Sequence, residues 1–519
     1  MRLDKLTIHR FKNLSDFSID FDEQSLTTVL VGGNGTGKSN LIEALVLIFR
    51  NLDLGEPPLF PYQLSYICRG SPIKIDADPG RRREAVKISV NGKEISYRQF
   101  VNAEGRPYLP NYVFGYYSGP SNRLEAHFEK HQERFYQALV RDDERPLRPL
   151  FYARLVHSQF VLLSFFSEQD SEAAEFLKKY LGIEGLEAVL FIMKQPEWGR
   201  TKRKGGDRRF WYAKGVVQRF LDDLYRTALA PMRFSQRVTP DLGQSHTLEH
   251  LYFYIADPDS LVQLASRYPN QQEFFKTLES TYISKLIKEV RIRVKVRNVD
   301  GTLTFRELSE GEQQLLTVLG LLRFTKEDES LFLLDEPDTH LNPAWSIEYL
   351  DLLKQVVGKQ ETSHIIMTTH DPLVIAGLEK AQVQIMQRDE GTGRISAMTP
   401  EQNPKGMGVA ALLISDLFGL RSTLDLETLS KLDRKREIAS QESLTNDELA
   451  ELDKLNEELG NLDFTRSARD PLYKPFVEAM IASGEYRPLE KPVLTPKERQ
   501  QQRELAERIL KELKGKRAE

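Results

Sequence analysis

Cysteine is almost absent from this chain. Cys68 is the single one among 519 residues, so no disulfide can close within the chain, and the usage fits a reducing compartment. Long apolar runs are missing as well. "LIEALVLIF" (Leu41–Phe49) and "FVLLSFF" (Phe160–Phe166) fall far short of the about 20 residues that a bilayer-spanning helix needs. The opening "MRLDKLTIHRFKNL" carries charges where a secretion signal carries an apolar core. Net charge is small, with 72 Lys and Arg against 76 Asp and Glu, so a polyanion would have to be met by a local basic patch. No internal repeat and no sustained heptad occurs, which excludes a solenoid and a long coiled-coil arm. These absences lead us to expect a soluble, cytoplasmic protein without a membrane partner.

What is present suits a large globular chain. A composition 40% hydrophobic and 29% charged supplies core for two to four domains. "LDKLTIHRFKNLSDFSIDF" alternates as a strand, turns at Lys12-Asn13-Leu14 and alternates again. "AVKISVNGKEISYRQF" holds an Asn91-Gly92 hairpin signal. Helical periodicity dominates from about Glu125 to Lys288, and β/α alternation returns after Val290. The expected layout is 1–124, the first part of an α/β body; 125–288, a helical insertion or lid; 289–399, the second part of the body; and 400–519, a helical tail. In that tail Thr445 and Glu448 form a capping box before one helix, and Thr495-Pro496 opens another.

"GGNGTGKS", Gly32 to Ser39, lies between an apolar strand and a helix, the context of a phosphate-binding loop. Gly32, Gly33, Asn34, Gly35, Thr36 and Gly37 bring backbone N–H groups around a phosphate chain, with Lys38, Ser39 and Asn40 at the helix head. Lys38 is expected at the β/γ-phosphates and the Ser39 hydroxyl on Mg²⁺. In "LFLLDEP", Asp335 ends an apolar strand where open sheets bind ligands; there it can hold Mg²⁺, with Glu336 polarising the attacking water. "HIIMTTHD" brings His370 to another strand end, as a candidate γ-phosphate contact. "LSEGEQQ" sets Ser309, Gly311 and Glu312 at a helix start, a second anion site. Two phosphate binders on one chain suggest a composite site closed by two subunits over one ATP. A basic loop, Lys194 to Arg209, precedes Phe210-Trp211-Tyr212 and is a candidate for phosphate neutralisation and base stacking.

The order of P-loop, "LSEGEQQ", "LLDEP", "DTHLNP" and "TTH" resembles the ABC-type ATPases of the SMC, OLD and restriction-associated AAA group, over about Met1–Thr399. The resemblance implies an α/β ABC-type head, a mixed P-loop sheet plus an antiparallel β subdomain, carrying the helical insertion and tail. It implies ATP and Mg²⁺ as ligands, head-to-head dimers, Ser309 and Gly311 as contacts in trans, Asp338–Pro343 as the loop at the dimer seam and His370 as a switch. No glutamine is assigned to the Q-loop; Gln63 sits in an alternating strand. The missing arm and missing TOPRIM pattern set the chain apart from long-armed SMC proteins and OLD nucleases. It is similar instead to the ATPase subunits of Septu and retron anti-phage systems, which implies an HNH nuclease partner and, in retrons, a reverse transcriptase with its msDNA. The alternatives are a DNA-repair ATPase acting directly on DNA and a stand-alone OLD-like toxin nuclease.

Overall fold

The computed structural model describes all residues except 23, 104, 142–147, 168–170, 201–204, 239–245, 298–301, 325–328, 358–361, 442, 461–495 and 516–519. It comprises two compact units, Met1–Thr399 and Pro400–Glu519.

The first unit is built on a seven-stranded sheet in the order Ile395–Met398, Val383–Arg388, Thr27–Val31, His364–Thr368, Leu331–Asp335, Val113–Tyr117, Leu150–Tyr152. All neighbours in it are parallel except the pair Val383–Arg388 and Ile395–Met398. Thr27–Val31, Leu331–Asp335 and His364–Thr368 are buried at every position, as strands covered on both faces must be. The register aligns Asp335 with both Tyr117 and Thr368, and Thr368 with Leu30. The loops beginning at Gly32, Ser118, Glu336 and Thr369 therefore leave the sheet along one edge, the side where open α/β sheets bind ligands.

A six-stranded antiparallel sheet runs Leu14–Asp20, Arg2–Phe11, Tyr62–Cys68, Ser71–Ala77, Val86–Val90, Lys93–Ile95. Its inward residues Leu3, Leu6 and Ile8 share a core with Leu41, Leu45 and Phe49 of the helix Lys38–Leu54. Lys12 turns with φ 51°, and Asn91 (φ 51°) with Gly92 (φ 77°) makes the hairpin that the sequence announces.

The expectation of a helical insertion over 125–288 needs correction. Helices do form, among them Glu129–Arg141, Val156–Phe166, Gly215–Thr227 and Gln271–Ile283, but a five-stranded antiparallel sheet runs beside them. Its order is Met232–Val238, His246–Ile255, Ile183–Lys194, Ile287–Val296, Thr302–Thr304. The strand period is blurred in "IEGLEAVLFIMK" because the register shifts between Ile183 and Gly185 and between Leu186 and Ala188. A buried ion cluster ties this segment together: Glu279 accepts from Arg148 (2.8 Å) and lies 2.8 Å from His157 Nε2.

In the second unit the described helices include Leu426–Ala439, Asn446–Gly460 and Pro496–Gly515. Thr445 and Glu448 form the expected capping box. The described helical spans end at Gly460 and Gly515, and Thr495 lies outside the described residues. Arg434 joins two of the helices through a paired contact with Glu451 (both 3.0 Å). Among the described residues no helix is long and apolar enough to cross a membrane.

Candidate nucleotide site

The P-loop joins the buried strand Thr27–Val31 to the helix Lys38–Leu54. Gly32 has φ 150°, and a Cβ there would overlap the Met386 carbonyl oxygen, so the sharp exit from the strand requires glycine. Thr36 Oγ1 donates to the Gly33 carbonyl (2.9 Å), while Lys38 Nζ donates to the carbonyls of Gly32 (2.8 Å) and Gly33 (3.2 Å), fixing the ammonium inside the loop. Burial pulls the Lys38 pKa down to about 8, against the opposing pull of Glu336 and Asp335. Asn34 stands exposed at the loop tip.

Asp335 is met from two sides. Ser39 Oγ donates to its Oδ1 (3.1 Å) and Thr368 Oγ1 to the same oxygen (2.7 Å). Its pKa is raised by burial, which the two hydroxyl donors partly offset. Glu336 follows in the left-handed region at φ 54°, a strained setting for a side chain with a Cβ. Its N–H donates to Thr368 Oγ1 (2.9 Å), and its Oε1 lies 3.3 Å from His370 Nε2. Burial and the nearby Lys38 ammonium hold His370 below the ordinary histidine range, so its ring is neutral near pH 7. Lys38, Ser39, Asp335, Glu336 and His370 thus come together at the strand ends.

Ser309, Gly311 and Glu312 lie elsewhere in the unit. Ser309 caps the helix Glu310–Phe324 in a closed box, with its N–H and Oγ 2.6 and 2.8 Å from Glu312 Oε2. A Cβ on Gly311 would overlap the His340 carbonyl oxygen, so glycine lets the loop after Glu336 lie directly on this helix start. An open cleft of about 530 Å³ here is lined by Ser309, Gly311, His340, Asn342 and Trp345, among others, and by no P-loop residue. Asp338, at the head of that loop, is buried, accepts from Thr369 Oγ1 and has its pKa pushed up to about 6.

Several residues of the site carried no motif. Asn13, in the first hairpin turn, donates to the Gly35 carbonyl (3.0 Å) and accepts from Asn40 (2.6 Å). Arg123 donates to Asn40 (3.0 Å) and to Glu43 (3.4 Å), so Asn40 braces the loop from behind. Ser118 Oγ is 3.0 Å from Thr339 Oγ1, which puts the Ser118–Arg123 loop beside Asp335. Gln63 is exposed in the antiparallel sheet, opposite Thr7. The turn at Lys12-Asn13-Leu14 was visible in the sequence, but only the fold shows that it meets the P-loop.

The stacking role expected for the basic loop is overturned for two of its aromatics. Phe210 and Trp211 are buried, at 0% and 3% exposure, and Arg209 is ion-paired to Asp207 (2.6 Å) and Asp222 (2.7 Å). Lys202, Arg203 and Lys204 of that loop lie outside the described residues.

The site fits a nucleoside triphosphate. Its loop backbone forms a phosphate cradle, Lys38 supplies a fixed cation, and Ser39 and Asp335 offer oxygens to Mg²⁺ at a spacing one ion can share. Replacing Lys38 with Ala should weaken ATP binding roughly 10- to 100-fold, the loss of one charge-assisted contact set. With its Lys38 pKa at about 8, the unaltered protein should lose affinity as pH rises above 8, and the substitution should remove that fall. Calorimetric titration with a non-hydrolysable ATP analogue across pH 6.5–9.5 checks both.

Two families match the chain: "AAA domain, putative AbiEii toxin, Type IV TA system" over residues 207–376 and "AAA ATPase domain" over residues 1–103. Septu protein PtuA of Bacillus mycoides (strain KBAB4) is 28% identical over 435 residues, covering 82% of this chain and 46% of that protein. Septu protein PtuA of Bacillus thuringiensis is 23% identical over 33% of this chain and 46% of its own length. The probable peptide export ATP-binding protein YydI of Bacillus subtilis (strain 168) is 30% identical over 22% of this chain and 54% of its own length. The chain thus spans about half the length of the curated relatives it matches. An SMC head domain from Thermotoga maritima aligns at 15% identity and a TM-score of 0.32, over 77% of this chain and 100% of that one.

Proposed function

We propose, for a chain that is an SMC- and ABC-like ATPase resembling Septu PtuA, that it hydrolyses ATP in composite sites shared by two copies and serves as the sensor and scaffold of an anti-phage complex. The observation that carries the chemistry is the Ser39–Asp335 contact of 3.1 Å with Glu336 and His370 beside it. Lys38 binds the β/γ-phosphates, and Ser39 and Asp335 hold Mg²⁺. When bound, Mg²⁺ offsets charge on the phosphate oxygens. Glu336 orients the attacking water and accepts its proton, and the neutral His370 ring steadies the carboxylate.

The composite arrangement is supported by the placement of Ser309 and Gly311. They open onto a cleft that their own P-loop does not line. A second copy meeting the first about a two-fold axis brings that helix start over the γ-phosphate, each subunit completing the other's site. The tail, 400–519, with its described helices Leu426–Ala439, Asn446–Gly460 and Pro496–Gly515, is the proposed seat of a separate HNH nuclease subunit. In a retron setting, a reverse transcriptase and msDNA join the assembly.

Mixing tests the sharing. Lys38→Ala and Ser309→Arg chains are each expected to be inactive. Combined in equal amounts, random pairing leaves one intact composite site in about half the dimers, so ATPase activity recovers to roughly a quarter of the unaltered level. Absence of recovery, with both variants folded and mixed dimers formed at saturating ATP, refutes the shared site.

A further inference from the structure

One face of the five-stranded sheet is covered; on the other, His250, Ile192 and Ala188 are buried while longer side chains around them stay exposed. Leu251, Phe253, Phe191 and Met193 point to the covered side and are buried. The opposite face follows from the register. Phe234 pairs with His250 and His250 with Lys194; Met232 pairs with Tyr252, Tyr252 with Ile192 and Ile192 with Glu289. Tyr254 pairs with Leu190 and Leu190 with Arg291; Ala188 pairs with Arg293. Side chains in such rows share a face of the sheet.

This opposite face carries exposed aromatics, which is unusual for water-facing strands. Phe234 is 51% exposed, Tyr254 38% and Met232 46%, and Phe234 meets Tyr252 edge-on at 5.5 Å between ring centroids. Cations flank the rings. Lys194 lies in the Phe234 row, with Lys288 Nζ 3.3 Å from His250. Arg291 and Arg293 are exposed on the far strand, two strands from the tyrosines, or about 10 Å at ordinary strand spacing. Glu289 is the acid in these rows, and it is paired with Arg291 (3.0 Å) and Arg306 (2.9 Å). A row of rings beside a row of cations is complementary to a chain of planar bases joined by phosphates. An apolar protein surface would match the rings and leave Lys194 and Arg293 unanswered.

We propose that this face binds single-stranded nucleic acid, with bases stacking on Phe234, Tyr252 and Tyr254 and phosphates meeting Lys194, Arg291 and Arg293. Duplexes are excluded from this mode because their bases are already stacked. None of these residues belongs to the nucleotide site.

Fluorescence anisotropy of the full chain with labelled 20-mer oligothymidine, 20-mer oligouridine and a duplex of equal length tests it. Both single strands should bind more tightly than the duplex, and the ratio between them tells whether DNA or RNA is preferred. Phe234→Ala/Tyr254→Ala should weaken single-strand binding roughly tenfold or more while leaving its salt dependence unchanged. Arg291→Ala/Arg293→Ala should weaken it and also flatten the salt dependence. ATP turnover and thermal unfolding of each variant, both expected unchanged, establish that these surface changes leave the fold intact. The proposal is overturned if the unaltered chain prefers duplex, or if neither pair of substitutions changes single-strand binding. It is equally overturned if the aromatic substitutions release a co-purifying protein while nucleic-acid affinity stays the same.

Discussion

Glu336→Gln should bind ATP normally and almost cease to turn it over, by a factor of about 10² to 10⁴, the usual worth of a positioned general base. The side chain keeps its shape and its place beside His370 but can no longer accept a proton. The surrounding geometry gives the residue no substitute. Asp335 is engaged by Ser39 and Thr368, and His370 reaches the site through Glu336 itself. ATP that is bound but not cleaved should hold two copies together, so a dimer should accumulate with ATP and be absent with ADP. Light scattering after size exclusion reads the mass, and phosphate release reads turnover. Unchanged turnover would remove Glu336 from the mechanism and leave the left-handed backbone at φ 54° without a chemical purpose.

Glu279→Ala should destabilise the first unit by about 3–5 kcal/mol, because it strands a buried guanidinium. Arg148 and Glu279 are 3% and 0% exposed at their side chains, and His157, also at 0%, meets the second carboxylate oxygen. Burial alone would push the Glu279 carboxyl upward. The charges and hydrogen bonds of His157 and Arg148 outweigh it and hold the group at about 2, below its ordinary 4.5. A carboxyl depressed in this way stabilises the fold fully above pH 4.5, and its contribution is lost as pH falls through about 2. Urea unfolding at pH 7 should show the lower midpoint for Glu279→Ala. At pH 2.5 the difference between the two proteins should shrink.

Much of the fold was legible because local chemistry and fold agree there. "VLVGGNGTGKS" and "LFLLDEP" are short apolar strands ending in residues that have no role inside a core, and both stand where that pattern places them. The Asn91-Gly92 hairpin was equally plain. The sheet within 125–288 was not, because register shifts at Gly185 and Ala188 break the two-residue period that marks a strand. Arg123, Asn13 and Thr368 escaped notice for another reason. Each acts through a partner distant in sequence, such as Asn40, Gly35 or Asp335, and a pairing of that kind has no local signature. The basic loop shows the reverse error, since adjacency in sequence suggested a stacking site while folding buried Phe210 and Trp211.

The parallel register of the central sheet also sets a timetable. The P-loop strand Thr27–Val31 has His364–Thr368 on one side and Val383–Arg388 on the other. Both neighbours are made late, so the strand leaves the ribosome roughly 20 to 70 s before it can be paired, at about 5–20 residues per second. Through that interval its apolar residues are exposed and its pairing groups are open, the state in which nascent chains recruit chaperones or aggregate. Thr368, which holds both Asp335 and the Glu336 backbone, arrives in the same late segment. A chain stalled or cut before that point carries every residue of the P-loop and no assembled site, so translation must run almost to the end of the first unit before the protein can hold its nucleotide.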